Sequence, residues 1–199
     1  MQRTQQLLTL TSLVFLLSIS IILHGCQQSE APEETNEILV DIIKNTNEKI
    51  LVNIEMASNL EEKFQVPLDL DKFMTPPFFS DYRNDINSII SESDITNWNN
   101  KIENYKSGRF EITKLANLPI YDPQTGTVLN SNDPISEFEK FATFSPPFLS
   151  TSNDKALIYV KFLNHPDFKS PENSFLLILR KQNGTWNEVY RKLMVVTTS

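Results

Sequence analysis

Residues 7–23, LLTLTSLVFLLSISIIL, form seventeen consecutive positions without a charge. Such a run is not the surface of a water-facing domain, so it divides the chain before any other feature is considered. The only cationic side chain ahead of it is Arg3, and the first charges beyond it are acidic, at Glu30, Glu33 and Glu34. A basic start, an apolar core and a small residue ahead of a cut have the anatomy of a secretory signal. The charge asymmetry orients its start in the cytoplasm and the remainder outside.

Directly after the run stand Leu23-His24-Gly25-Cys26. This ending resembles the lipobox of bacterial lipoprotein precursors, over about the first 26 residues. The resemblance implies that the Cys26 sulfur receives a diacylglycerol and that the Gly25–Cys26 bond is cut. The new amino group can then take a further acyl chain such as palmitate. Leu23, His24 and Gly25 would be the positions read by the processing peptidase, with His24 standing where the family usually carries a small or β-branched residue. Two acyl chains or more, at ~0.8 kcal/mol per buried CH₂, hold a protein on a bilayer for practical purposes. Two other fates are open to the run. It could stay as a spanning helix, at the lower limit of length and with five Ser or Thr among its residues. It could also be an ordinary signal cut elsewhere, leaving Cys26 an incidental thiol.

The expected organisation is a signal peptide over 1–25, a lipidated Cys and flexible tether over 26–35, and one globular domain over 36–199. Removing residues 1–25 takes away only Arg3 among charged side chains, so the formal net charge of −7 becomes −8. The remaining length of about 170 residues suits one domain with one good core. The acidic balance opposes sequence-independent nucleic-acid binding, which needs basic residues to displace counterions. It equally opposes electrostatic adsorption to anionic lipid. Cys26 is the only cysteine, and His24 and His165 are the only histidines. Disulfides, ordinary zinc sites and Cys/His nucleophiles are thereby excluded within one chain.

Within 36–64, Leu39, Ile43, Ile50, Ile54, Ala57 and Phe64 keep to one helical stripe, which predicts a long helix with a break near 45–47. Residues 67–80, rich in proline, predict a loop. Shorter helices are expected over Asp81–Ile90 and Asp94–Tyr105, the latter capped by Ser93 or Asp94 and closed by Gly108. Phe110–Thr113 alternates as a strand does, residues 117–133 form a turn-rich connection, and Pro134–Phe141 predicts a short helix. Ala156–Leu163, Ser174–Gln182 and Thr185–Val196 are strand-like, and Asn183-Gly184 between the last two is a hairpin signal. Phe175–Leu179 is apolar on both faces and so belongs at the centre of a sheet. The expected fold is α+β, with N-terminal helices, one of them long, packed on a C-terminal antiparallel sheet. Residues 138–196, through Phe144-Ser145-Pro146-Pro147-Phe148-Leu149-Ser150, Asp154–Val160 and Asn183-Gly184-Thr185-Trp186, are similar to small uncharacterised bacterial lipoproteins. That likeness implies a fold and no activity.

Four glycines, none close to another, exclude the dinucleotide fingerprint and the P-loop. His165 has no serine motif to serve. The carboxylate pairs Asp69/Asp71, Asp81/Asp85, Glu92/Asp94 and Glu137/Glu139 could serve a glycosidase or calcium site, but 25 acids in 199 residues make close pairs inevitable. Trp98 and Trp186 could line a groove, although their positions favour packing. No cofactor or metal and no catalytic residue are expected. The leading expectation is therefore a cell-envelope protein held to the membrane through its N-terminal lipid. Its folded part would be a non-catalytic binding or accessory module, with an envelope protein as a possible partner and no nucleic acid. Two alternatives are a carboxylate- or metal-dependent hydrolase of envelope polymer or glycan, and an inhibitor whose acidic face masks a basic site.

Overall fold

The computed structural model describes residues 33–69, 86–164 and 172–197. Within them lie helices α1 (Thr35–Lys44), α2 (Leu60–Phe64), α3 (Ile86–Ile89) and α4 (Glu92–Glu103). The strands are β1 (Ile50–Asn53), β2 (Ile120–Asp122), β3 (Thr127–Leu129), β4 (Lys140–Phe144), β5 (Phe148–Leu149), β6 (Lys155–Asn164), β7 (Glu172–Gln182) and β8 (Thr185–Thr197). Short 3₁₀ turns occupy Ile112–Leu115 and Ile135–Glu137. The fold is α+β with the sheet dominant.

The predicted long helix is not formed. Its first third is α1, whose Thr35, Ile38, Leu39 and Ile42 are buried at helical spacing. Asn47 then adopts a left-handed φ of 55°, which ends any helical continuation, and Ile50-Leu51-Val52 becomes a strand buried on both faces. A run buried all round carries no period that distinguishes helix from strand. The sheet is likewise mixed, not antiparallel. Its order is β3-β2-β1-β4-β6-β7-β8, with β5 also on β6, and β1 runs parallel to both β2 and β4. The connection from β1 to β2 passes through α2 and α4, long enough to return the chain in the same direction.

Other expectations shift for local reasons. Phe110–Thr113 is not a strand: an isolated bridge, Glu55 to Arg109, precedes it, and a 3₁₀ turn begins within it at Ile112. The turn-rich segment 117–133 contains the β2–β3 pair, closed through Gly126 at φ 67°. Pro134–Phe141 supplies one 3₁₀ turn and then enters β4. Helix α4 starts earlier than expected. Ser91 is its N-cap in a capping box with Asp94, and Asn104, not Gly108, is its C-cap. The expected helix 81–90 is described only over Ile86–Ile89, and the loop 70–80 lies outside the described residues.

Both faces of the sheet are covered. On one, Ala156, Ile158 and Val160 of β6 and Leu177 and Leu179 of β7 join Ile38, Leu39 and Ile42 of α1. On the other, Leu157, Tyr159, Leu176 and Ile178 meet Ile95, Trp98 and Ile102 of α4. β7 and β8 pair from Glu172↔Thr197 to Gln182↔Thr185, and Asn183 and Gly184 between them have φ of 52° and 82°. β8 borders the sheet. Its pairing is interrupted opposite Ser174/Phe175 and Ile178/Leu179, and its Trp186 N–H donates to the Asp41 carboxylate of α1 at 2.8 Å.

Candidate functional site

Leu23, His24, Gly25 and Cys26, the site residues read from the sequence, lie outside the described residues, as do His165, Asp71, Asp81 and Asp85. Among the pairs that are described, Glu92 is exposed while Asp94 is buried, so the two diverge. Glu137 and Glu139 do converge, on Lys49. The Lys49 ammonium donates to Glu137 at 3.0 Å and to Asp133 at 3.4 Å, and its backbone N–H donates to Glu139 at 3.3 Å. The hydrogen bond that Lys49 donates to Glu137, with the nearby Asp133 charge, raises the Lys49 pKa. Trp98 and Trp186 are fully buried in the two cores, and both indole N–H groups lack an acceptor in the structure. Neither lines a groove.

Helix α4 makes the most specific polar contacts. Asn97 and Lys101, one turn apart, both donate to the Leu149 carbonyl, at 2.9 and 2.8 Å. Asn99 grips the Leu68 backbone twice, accepting its N–H at 2.8 Å and donating to its carbonyl at 3.1 Å. Asn is a poor helix former because its side chain competes for backbone partners. Here the competition is turned outward, to the backbone of Leu68 and of Leu149. Asp94 closes the set by pairing with Lys155 at 3.0 Å, with side chains only 4% and 15% exposed.

The Pro146-Pro147 pair interrupts the ladder between β4 and β5, since proline has no N–H to donate. Ser145 repairs the gap. Its N–H donates to the Tyr159 carbonyl at 2.9 Å, and its Oγ accepts the Tyr159 N–H at 3.0 Å in place of a main-chain oxygen. Ser150 does the same at the next turn, where its Oγ accepts the Lys155 N–H at 3.1 Å and donates to Asp154 at 3.1 Å. Ser150, Lys155 and Asp154 therefore stand together without forming a nucleophile and base. The serine oxygen is occupied by the amide of Lys155, while its ammonium is held by Asp94.

Two clefts remain. One, of about 360 Å³, lies where α1 ends and β1 begins, over Val40, Ile43, Ile50, Leu118 and Phe138, with Lys49 and Asp133 at its rim. The other, of about 580 Å³, has Leu60, Ile102 and Tyr105 among its lining, with Ser58, Asn59, Glu61, Glu62 and Ser107. Burial pushes the Tyr105 phenol up to about 12, against an opposing pull from the Gly108 backbone, so it is a neutral hydroxyl at any physiological pH. Among the described residues, no three His, Cys, Asp or Glu side chains gather to hold a metal. None of the described helices is long and apolar enough to cross a membrane. The lining of each cleft comes from segments far apart in the chain, and so carries no motif. Lys155 and Ser145 were equally silent in the sequence, although a serine preceding two prolines is a signal for such a repair.

Compared with known proteins, the chain matches no family model, no curated protein and no solved structure.

Proposed function

We propose that this chain is a lipid-anchored cell-envelope protein of bacteria whose folded part acts as a non-catalytic binding or accessory module. The observation that carries the reading is Leu23-His24-Gly25-Cys26 at the end of seventeen uncharged residues, with acidic residues following. The folded part is consistent with that role. Among the described residues Asp94 is held in an ion pair by Lys155, Asp122 by Arg109 and Glu137 by Lys49. In this reading the Pro146-Pro147-Phe148 segment before β6 and the Asn183-Gly184-Thr185-Trp186 segment are the features that resemble small bacterial lipoproteins. The partner is a component of the same compartment, met by a surface of acidic balance. Mass spectrometry of the product made from the whole precursor in a bacterial host tests the anchor. The expected mass begins at Cys26 and carries diacylglycerol with or without an amide-linked acyl chain, and Cys26→Ser abolishes it. An unmodified thiol at Cys26 overturns the proposal.

A further inference from the structure

The larger cleft is divided in its chemistry. Its buried lining is apolar, Leu60 of α2 and Ile102 of α4, both members of one core, and these form its floor. Tyr105, just past the end of α4, is half-buried in the wall. The Tyr105 hydroxyl is itself buried, so what this residue offers the cleft is its ring and not its oxygen. The rest of the lining is polar and exposed: Ser58, Asn59, Glu61, Glu62 and Ser107 make the rim. Main-chain bonds hold the two sides together. The Met56 N–H donates to the Gly108 carbonyl at 3.0 Å and the Phe110 N–H to the Ile54 carbonyl at 2.9 Å, so Ser58 and Ser107 stand on segments already tied to each other. Asn59, at φ 54°, then turns the chain into α2. No Lys, Arg or His lines the cleft. Lys63, close by in the chain, spends its ammonium on the Ser58 carbonyl and over the Tyr159 ring, 5.6 Å from its centroid.

We infer that this cleft binds an uncharged saccharide of one or two rings. A sugar ring is divided as the cleft is, with C–H groups on its faces and hydroxyls around its edge. Leu60, Ile102 and the Tyr105 ring meet the C–H groups. At the rim the Glu61 and Glu62 carboxylates only accept, and so take hydroxyl protons, while Ser58, Asn59 and Ser107 can both give and take. A ligand with a negative charge would face two carboxylates and no cation, which disfavours it. The volume of about 580 Å³ lies within the range of about 300–1,000 Å³ common for small-molecule sites. The inference names a ligand class for the binding module proposed above and rests on that binding role, though not on the lipid at Cys26.

The test uses the product of the whole precursor in detergent micelles. Cellobiose, maltose and N,N′-diacetylchitobiose are titrated in turn while the backbone amides are followed by NMR, with digalacturonate as the anionic comparison. At least one neutral disaccharide is expected to give saturable shifts centred on residues 58–62 and 102–107, and digalacturonate none. Glu61→Ala, at an exposed position, should weaken that binding about tenfold through loss of a charged acceptor. Ser107→Trp, also exposed, should block the cleft and abolish it. Shifts centred elsewhere, no saturable shift from any of the three, equal binding of digalacturonate, or full binding by both variants overturns the site. Any of these, with the acyl mass present on Cys26, overturns the saccharide site alone. The expected shifts with the acyl mass absent support the site and overturn the anchor alone.

Discussion

Lys155, the first residue of β6, and Asp94, in the first turn of α4, are joined by a 3.0 Å ion pair that locks the helix across the sheet. Asp94 serves two ends at once. Its carboxylate also accepts the Ser91 N–H at 3.0 Å and the Ser91 hydroxyl at 2.9 Å. Removing one member of a buried pair leaves the other charge uncompensated. Asp94→Ala, which also loses the capping box, is expected to cost about 3 kcal/mol in urea unfolding. Lys155→Met should cost less, because Asp94 retains its bonds to Ser91.

The same carboxylate sets a pH dependence. Burial pushes the Asp94 pKa upward, but the Ser91 N–H, the Lys155 ammonium and the Ser91 hydroxyl outweigh it and hold the group below the ordinary aspartate value. A depressed folded pKa contributes stability that is present above the unfolded pKa and lost as pH falls through the folded one. The stability difference between the parent and Asp94→Asn is therefore expected to be constant near neutrality and to shrink below about pH 4. A difference that persists undiminished at acid pH would contradict this assignment.

Ser145→Ala removes the acceptor for the Tyr159 N–H inside a buried sheet. The expected loss is about 1–3 kcal/mol, the cost of an unmet buried donor. Amide exchange localises it. The Tyr159 amide should exchange faster in the variant, while amides of the β7–β8 pair keep their protection.

Tyr105 and Tyr190 are both pushed up to about 12, chiefly by burial. A raised phenol contributes stability that is complete below the unfolded value near 10 and is lost as pH rises through 12. Ultraviolet titration of phenolate should show a late step for these two residues. Tyr105→Phe and Tyr190→Phe should each remove a part of it.

Asn47 allows a test of the turn that replaces the expected helix. At φ 55° and on the surface, Asn47→Gly should be neutral or slightly stabilising, whereas Asn47→Ala should cost about 1 kcal/mol by thermal unfolding. A helix continuing through this point would give the opposite order.

That last pair of variants also marks where the sequence was readable and where it was not. The runs at Ala156–Leu163 and Ser174–Gln182 coincide with β6 and β7 because β-branched and aromatic residues there are bounded by clear punctuation. Ile50-Leu51-Val52 had no such boundary. Its residues also fit a helical stripe, and only the strands it lies between, β2 and β4, decide the matter. Those partners sit 68 and 90 positions away, so no local pattern could announce a parallel pairing. The clefts were hidden for the same reason, since Ile43, Leu118 and Phe138 become neighbours only through the sheet. Residues Leu23–Cys26, on which the proposed anchor rests, are the reverse case. They form a compact local motif and need no tertiary contact to be read.

β8 is thirteen residues long and lies at the border of the sheet, the place where a strand most readily recruits a foreign one. Asp41 occupies its first outward amide, and the two register shifts break the flat run behind it into short lengths. Both features shorten the stretch of this border along which a second copy could add a strand.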